Sequence, residues 1–198
     1  MAEKKEIENT PEFEDNILVN KKRIAVIIGS KGKTKRKIEE RTGAKVTINS
    51  ETGNVNIKAK DGLKLFMAQN VIKAVSRGFN PKVAIKLTSP ENQFDLIKIT
   101  DYVNSKNALH RVKGRIIGRD GKSRETIEEL TETSIVIFGK TVGIIGEYRG
   151  VMLAKEAITS LINGSPHSNV FKWLEREHVK RSQNKLLKMY GADLDKEI

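Results

Sequence analysis

The chain has 198 residues, which is enough for one or two domains of ordinary size, each with a modest core. Its 37 Lys and Arg residues against 25 Asp and Glu give a net charge of +12, and such a surface attracts polyanions, nucleic acid above all. The absence of cysteine excludes disulfides and Cys-ligated metals, and the absence of a long apolar run or secretory signal predicts a soluble, cytoplasmic protein.

The first half of the chain predicts the order strand, helix, helix, strand, strand, helix. Residues 1–15 are rich in Lys and Glu, and we expect them to be flexible. Strands are predicted at residues 17–19, 46–48 and 55–57, and helices at 22–28, 33–41 and 65–75. Gly43 is placed to end the second helix in a left-handed conformation, and Gly78 and Pro81 end the third.

The second half predicts the same order of elements. Strands are predicted at residues 94–100, 135–137 and 142–145, and helices at 105–117, 122–131 and 153–161. The second half has an insertion near residues 101–107 that the first half lacks, so the two halves are not interchangeable. Residues 171–198 predict a further helix and a tail, in which Trp173 either packs the helix onto its own domain or docks a partner protein.

A repeated segment identifies the two halves as copies of one another. IIGSKGK at residues 27–33 recurs as IIGRDGK at residues 116–122, an offset of 89 residues. Over residues 27–48 and 116–137, ten of 22 aligned positions are identical. One small domain has therefore been duplicated, and two copies are too few for a solenoid, which needs at least three units.

Each glycine turn joins two predicted helices and is a candidate anion site. Glycine lacks a Cβ, so a phosphodiester backbone can approach the main chain closely. The helix that follows directs unpaired N–H groups and the positive end of its dipole toward the turn. A lone G-x-x-G is usually a simple turn, but this one follows Ile-Ile, lies between helices and occurs twice.

This arrangement resembles the KH family of single-stranded RNA-binding domains, and both copies match its type I order. The resemblance implies an α+β fold of two tandem KH domains (βααββα), each a three-stranded antiparallel sheet packed on three helices. The domains would occupy residues 16–82 and 83–170, after a flexible segment at 1–15 and before a C-terminal helix and tail at 171–198. Each loop would clamp the backbone of about four nucleotides.

The resemblance also implies an RNA-binding surface in each copy, with aliphatic side chains flooring a groove for the bases. For any one of these aliphatic residues, a plain core position is the more usual interpretation. The groove set is Ile24, Ile28, Ile38 and Val46 in the first copy and Val112, Ile117, Ile127 and Ile135 in the second. The loop set is Gly29, Ser30, Lys31, Gly32, Lys33, Lys35 and Arg36 in the first copy and Lys113, Arg115, Gly118, Arg119, Gly121, Lys122 and Arg124 in the second.

The two turns differ in charge. Residues 29–41 contain six basic and two acidic side chains, a balance of +4, whereas residues 118–130 contain three basic and four acidic ones, a balance of −1. His110, Arg111, Lys113 and Arg115 precede the second turn and restore a basic margin, but Asp120 repels phosphate unless it points away. Simple electrostatics therefore favours the first copy for phosphate binding.

A narrower resemblance covers residues 17–174. GRIIG at 114–118, TIE at 126–128, IIG at 144–146 and NGSP at 163–166 resemble the C-terminal domain of the partner-of-Nob (Dim-type) pre-rRNA-processing proteins, in their short archaeal form. That resemblance implies binding near the 3′ end of small-subunit rRNA during ribosome assembly, with the second domain as the main contact. It implies a Nob-type endonuclease, an rRNA dimethylase and the alpha subunit of initiation factor two as partners, and no cofactor.

Other functions are less well supported by the residues. The GKT and GKS triplets at 32–34 and 121–123 imitate the end of a P-loop, but the required earlier glycines are Ile27 and Ile116. His110, His167 and His178 lack metal-ligand spacing, and no carboxylate pair suggests acid–base catalysis, so we predict no metal and no enzyme. A general mRNA-binding or translational regulator and a protein–protein scaffold with degenerate KH domains remain as alternatives.

Overall fold

The computed structural model describes residues 13–189, with side chains through residue 187. The chain divides into two compact units, the first ending at Pro90 and the second beginning at Glu91. Each unit contains one three-stranded antiparallel sheet with helices packed on it, which confirms the predicted α+β class of two tandem KH domains. No helix within residues 13–189 is both long and apolar enough to cross a membrane.

The first unit follows the predicted order and adds one short helix. Its sheet has the strand order β1–β3–β2, with β3 in the centre. The elements are β1 (Phe13–Leu18), α1 (Lys21–Ile28), α2 (Lys33–Thr42), β2 (Lys45–Ile48), β3 (Asn54–Ala59), α3 (Gly62–Ser76) and α4 (Pro81–Ala84). As predicted, Gly43 ends α2 with left-handed backbone angles. The core lies between the sheet and the helices, where Ile27, Ile57 and Ile72 are fully buried.

The N-terminal end of β1 corrects the prediction of a flexible segment through residue 15. Phe13, Glu14 and Asp15 pair with β3, and Phe13 lies opposite Ala59. Glu14 forms an ion pair with Lys58 at 3.2 Å, and Asp15 accepts a hydrogen bond from the side chain of Gln69 at 2.7 Å. The polar residues that suggested a flexible tail therefore bind neighbouring elements: Glu14 contacts the adjacent strand and Asp15 contacts α3. Residues 1–12 lie outside the described part of the chain.

The boundary between the units lies at Pro90, eight residues beyond the end predicted for the first domain. Helix α4 and the 3₁₀ turn Ile85–Thr88 pack against α3 and belong to the first unit. Ala84 and Leu87 are buried there. A four-residue helix is too short to show hydrophobic periodicity, and Pro81 was interpreted as the end of the preceding helix, although Asn80 and Pro81 are also typical of a helix start.

The second unit repeats the same topology, with strand order β4–β6–β5. Its elements are β4 (Asn92–Lys98), α5 (Lys106–Ile117), α6 (Lys122–Thr131), β5 (Ser134–Phe138), β6 (Thr141–Glu147), α7 (Tyr148–Ile162) and α8 (His167–Met189). The predicted insertion forms a 3₁₀ turn at Ile99–Asp101 and an extra turn of α5. Ser105 begins α5, because its hydroxyl accepts a hydrogen bond from the Ala108 N–H at 3.1 Å.

The C-terminal helix α8 packs against α6 and α7 of its own unit. Val170 and Leu174 are buried in the core, and Trp173 packs against the same core while remaining half-buried. The Nδ1 atom of His178 lies 3.0 Å from the Leu130 carbonyl, and Arg181 donates to the Thr131 carbonyl at 3.0 Å. The helix thus caps the end of α6, and the structure supports the packing role for Trp173.

Candidate nucleic-acid interface

The two glycine turns have the same backbone conformation. In the first, φ is 71° at Gly29 and 74° at Gly32, and in the second it is 74° at Gly118 and 83° at Gly121. The residue before the second glycine also has positive φ in both copies, 51° at Lys31 and 53° at Asp120. Three of the four residues in each turn therefore occupy a region that favours glycine, and the duplication has kept an uncommon geometry.

The turns leave the start of the following helix open. In each copy, the first glycine ends the preceding helix by donating to a carbonyl four residues earlier at 2.8 Å. No side chain caps α2, α6 or α7. Side chains of Asn20, Asp61, Asn80 and Ser105 cap α1, α3, α4 and α5. The N–H groups of Lys33 and Lys122 donate to the carbonyls of Ser30 and Arg119 within the turns. The positive end of each helix dipole still faces the turn, which favours an anion there.

The two glycines of each turn have different roles. A Cβ on Gly29 would lie 2.8 Å from the backbone N of Thr34, and one on Gly118 would lie 2.7 Å from the backbone N of Ser123. A Cβ on Gly32 or Gly121 would meet no atom within 4 Å. Only the second glycine thus faces open space that a ligand could enter, and the first is required by the fold of the turn itself.

The exposed side chains of the turns supply the charge that the sequence predicted. Ser30, Lys31 and Lys33 are exposed in the first copy, as are Arg119, Asp120 and Lys122 in the second. Arg36 donates to the Lys31 carbonyl at 2.7 Å, so it closes the first turn. The aligned residue in the second copy is Glu125, which leaves that turn without the same brace.

Behind each turn, a glutamate joins the second helix to the adjacent strand. Glu39 accepts a hydrogen bond from the Val46 N–H at 2.9 Å, and Glu128 accepts the equivalent bond from Ile135. Burial raises the pKa of Glu128 above its ordinary value. The same glutamates form ion pairs with two predicted RNA-binding residues, Glu39 with Lys35 at 3.9 Å and Glu128 with Arg124 at 3.3 Å.

Arg115 makes structural contacts that the sequence did not predict. Its guanidinium donates to the carbonyls of Leu161, at 3.1 Å, and Ser165, at 2.6 Å, so it secures the C-terminal end of α7. Arg23 does the same in the first unit, donating to the carbonyls of Val75 and Phe79 at 2.9 and 2.7 Å. Arg115 therefore has a structural role at the end of α7, and its contact with RNA stays a prediction.

Most of the aliphatic residues assigned to the groove lie in the core instead. Ile28 is half-buried and Ile117 is 36% exposed, so these two can reach a ligand directly. Lys113, one of the predicted loop residues, is also half-buried, on α5. The buried members of the groove set are Ile24, Ile38 and Val46 in the first unit and Val112, Ile127 and Ile135 in the second.

The geometry also bears on the alternative sites. Helices α1 and α5, rather than strands, precede the turns, as expected if these are not P-loops. His167 Nε2 lies 2.8 Å from the Arg115 carbonyl, a structural contact near the end of α7. Within residues 13–189, no group of three or more His, Asp or Glu side chains is placed to hold a metal ion.

Comparison with known proteins places both units in one family. Residues 93–179 match a eukaryotic-type KH domain (KH-domain type I), and residues 14–74 match the general KH domain. A KH domain-containing protein from Methanocaldococcus jannaschii is 43% identical over 183 residues, covering 89% of this chain and 80% of that protein. The crystal structure of Dim2p from Pyrococcus horikoshii OT3 is 44% identical with a TM-score of 0.78, covering 83% of this chain and 99% of that one. The chain belongs to the Pno1/Dim2 family of KH proteins.

Other members of the Pno1/Dim2 family are longer or were solved with partners. An RNA-binding protein pno1 from Dictyostelium discoideum is 33% identical over 132 residues, which cover 64% of this chain but only 55% of that protein. The chain thus spans about half the length of that relative. A crystal structure of an a/eIF2alpha–aDim2p–rRNA complex from Pyrococcus horikoshii OT3 matches with 43% identity and a TM-score of 0.80, covering 85% of this chain and 96% of that one.

The lysines of the first turn give a prediction that depends on charge alone. If Lys31 and Lys33 each neutralise a phosphate, replacing either by alanine weakens RNA binding and flattens the slope of log affinity against log salt by about one unit. Fluorescence anisotropy titrations of a labelled single-stranded RNA at several salt concentrations measure this slope. Lys82→Ala, on the exposed side of α4, is the matched control. A slope that stays the same in Lys31→Ala and Lys33→Ala would assign both lysines to a solvated surface.

Proposed function

We propose that this protein is a non-catalytic adaptor that binds single-stranded RNA near the 3′ end of small-subunit rRNA during ribosome assembly. The observation that carries the proposal is the pair of turns with one shared conformation, each placed before a helix that no side chain caps. Anions bind such helix starts through N–H groups and the helix dipole. The net charge of +12 favours a polyanion as the ligand.

Two kinds of side chain would contact the RNA: basic residues that hold the phosphate backbone and aliphatic residues that contact the bases. Lys31 and Lys33, or Arg119 and Lys122, hold phosphates, while the open side of Gly32 or Gly121 lets the strand come close to the main chain. The half-exposed Ile28 and Ile117 provide apolar contact for unstacked bases. KH loops clamp about four nucleotides in this manner, and no proton transfer or covalent step is needed.

The second domain is proposed as the main rRNA contact, in spite of its lower charge. Asp120 tolerates the positive φ at its position, since Asp and Asn adopt left-handed angles more readily than most residues. Its presence therefore has a conformational reason, and with Arg119 and Lys122 the residues 118–122 carry a net charge of +1. Partners in this role would be a Nob-type endonuclease, an rRNA dimethylase and the alpha subunit of initiation factor two. The last of these is supported by the relative solved with a/eIF2alpha and rRNA.

Selectivity for unpaired RNA tests the proposed function. A groove that receives splayed bases cannot accept a stacked duplex, so we expect a labelled 12-nucleotide single strand to bind at least about tenfold more tightly than its duplex. Anisotropy titrations at one fixed salt concentration measure both affinities. Equal affinities would leave only non-specific attraction to a basic surface and would contradict the proposal.

A further inference from the structure

Helix α2 carries a row of basic side chains along one face. Lys33, Lys37 and Arg41 follow one another at intervals of four residues, so they lie on the same face and span about 12 Å. The side chain of Lys64, on α3, lies at the C-terminal end of α2, where a Cβ on Gly43 would be 3.3 Å from its Cδ atom. We refer to Lys33, Lys37, Arg41 and Lys64 as the basic strip.

The basic strip is exposed, and its charges are not neutralised within the part of the chain that the structure describes. All four side chains are exposed, and among residues 13–187 none of them forms an ion pair or a side-chain hydrogen bond. Glu40 is an exposed carboxylate on the same side of α2, and within the same residues it forms no ion pair either. Four cations and one carboxylate leave this surface with a charge of +3.

The basic strip lowers the stability of α2. Like charges four residues apart destabilise a helix, and Lys33, Lys37 and Arg41 form two such pairs. Lys33 lies in the first turn, where the helix dipole favours an acidic residue and α2 has none. The dipole favours Arg41 at the opposite end of α2, but it does not account for Lys33 or Lys37. A charge arrangement that is unfavourable within the protein favours an anionic ligand as its explanation.

The second unit lacks the strip, and α8 packs against the corresponding helix. Thr126 and Leu130 of α6 occupy the positions of Lys37 and Arg41 of α2. Leu130 is half-buried against the core, and the Nδ1 atom of His178 on α8 lies 3.0 Å from its carbonyl oxygen. Both units have the same topology, so the KH fold itself does not require the strip.

The strip begins at the first turn but faces away from β2. Glu39 marks the side of α2 that contacts β2, because it accepts the hydrogen bond from the Val46 N–H. Lys37 and Arg41 are each two residues from Glu39, which places them about 200° around the helix from it. Lys33 is the residue that the strip shares with the turn. The strip therefore leads from the turn onto a surface separate from the proposed groove for the bases.

The composition of the strip indicates which part of a nucleic acid it would contact. It consists of Lys and Arg alone, with no aromatic or aliphatic side chain to receive an unstacked base, so it would contact phosphates. A duplex carries one phosphate charge per about 1.7 Å of its axis, twice the density of either strand alone, and its bases are already stacked. A duplex backbone is thus the polyanion that matches the strip best.

We propose that the basic strip binds the phosphate backbone of an RNA duplex that adjoins the single strand held at the first turn. This rests on the proposed function and extends it, because the preferred target becomes a junction between unpaired and paired RNA. Four cations hold an isolated duplex only weakly, so the selectivity for a free single strand over a free duplex is kept.

The test compares a labelled 12-nucleotide strand from the small-subunit rRNA 3′ end with the same strand joined to a hairpin. Two junction RNAs are used, with the hairpin at the 5′ or the 3′ end. The wild type should bind one of them at least about tenfold more tightly than the free strand. In the triple variant Lys37→Ala, Arg41→Ala, Lys64→Ala this gain should disappear, and the slope of log affinity against log salt for the junction should flatten by about two to three units. Affinity for the free strand should stay within about twofold of wild type, because these residues lie outside the turn.

A control variant removes the same amount of charge elsewhere. Lys140→Ala, Lys172→Ala, Lys185→Ala changes three exposed lysines of the second unit and should keep the preference for the junction RNA. Thermal unfolding separates binding from folding. The melting temperature of the strip variant should equal or exceed that of the wild type, because repulsion along α2 is removed.

Loss of the junction preference in the strip variant but not in the control would support the inference. Junction binding as tight as wild type in the strip variant would overturn it, and so would an equal loss in the control, which would reduce the effect to net charge. A wild type that binds neither junction RNA more tightly than the free strand would also overturn it, while selectivity for the free strand over its own duplex would leave the proposed function intact. A wild type without that selectivity would overturn both.

Discussion

Replacing Gly118 by alanine should destabilise the second domain by about 3 kcal/mol or more. Its φ of 74° and ψ of 179° lie in a region that is essentially limited to glycine. The added Cβ would also lie 2.5 Å from the Cβ of Ser123 and 2.7 Å from its backbone N, which forces the start of α6 to move. In a domain of this size, we expect the melting temperature to fall by roughly 12 °C or more.

Gly121→Ala is the matched control for this stability prediction. Gly121 has left-handed angles, φ 83° and ψ 1°, and open space where the Cβ would lie. The cost should be about 1 kcal/mol, because only the backbone preference is lost. Thermal unfolding followed by circular dichroism measures both variants. Equal losses at the two positions would contradict the division of roles between the two glycines of the turn.

This division also determines how RNA binding should be tested. From the sequence, aspartate at both glycines of a turn would block phosphate without affecting stability. The structure shows that a side chain at Gly29 or Gly118 collides with the next helix, so such a variant would lose stability as well. Charge is better introduced between the glycines, where Lys31 and Arg119 are exposed.

The second large effect is therefore expected for Arg119→Asp. This change replaces a cation that we propose to hold a phosphate with a second carboxylate beside Asp120. The lost charge-assisted hydrogen bond and the added repulsion should weaken binding by roughly 30- to 100-fold. The melting temperature should stay within a few degrees of wild type, because Arg119 is exposed. Anisotropy titrations with the small-subunit rRNA 3′ end measure the loss.

Lys31→Asp makes the same change of charge in the first turn, one position later than Arg119→Asp in the second, because Arg119 aligns with Ser30. Asp is better suited than Lys to the φ of 51° at that position, so the turn should keep its shape. If the second domain is the main contact, Lys31→Asp costs less affinity than Arg119→Asp. Lys140→Asp, on an exposed turn of the second unit, controls for the change in net charge. A larger loss of affinity in Lys31→Asp would show that net charge, which is +4 over residues 29–41, is a better guide than the family resemblance to which domain is the main RNA contact.

Much of the architecture could be predicted because the signals were local and occurred twice. The glycine turns, the helix after each and the strand pair recur at a constant offset, so each copy supported the interpretation of the other. The short helix α4 was missed, because four residues show no periodicity and Pro81 was interpreted as the end of α3 rather than as the first residue of a helix after Asn80. The pairing of Phe13–Asp15 with β3 depends on partners about 40 residues away, which a local pattern cannot reveal.

The site was predicted less completely than the fold. The sequence pattern places Ile38 and Ile127 on the apolar face of a helix, but it does not show whether that face forms the floor of a groove or part of the core. In the structure both side chains are fully buried. Arg115 was assigned by its charge, whereas its partners are carbonyls 46 and 50 residues away along the chain. Glu39 and Glu128 were overlooked as structural residues, although they are identical in the two copies and that identity was a usable signal.

Crosslinking followed by sequencing of the RNA bound in cells tests the central claim most directly. The full chain is crosslinked in its own cells, purified, and the bound RNA fragments are mapped, with Arg119→Asp as the comparison. We expect fragments concentrated at the 3′ end of small-subunit rRNA and depleted in the variant. Fragments scattered over mRNAs would indicate a general regulator, and the absence of bound RNA would indicate a protein–protein scaffold; either result would contradict the proposed function.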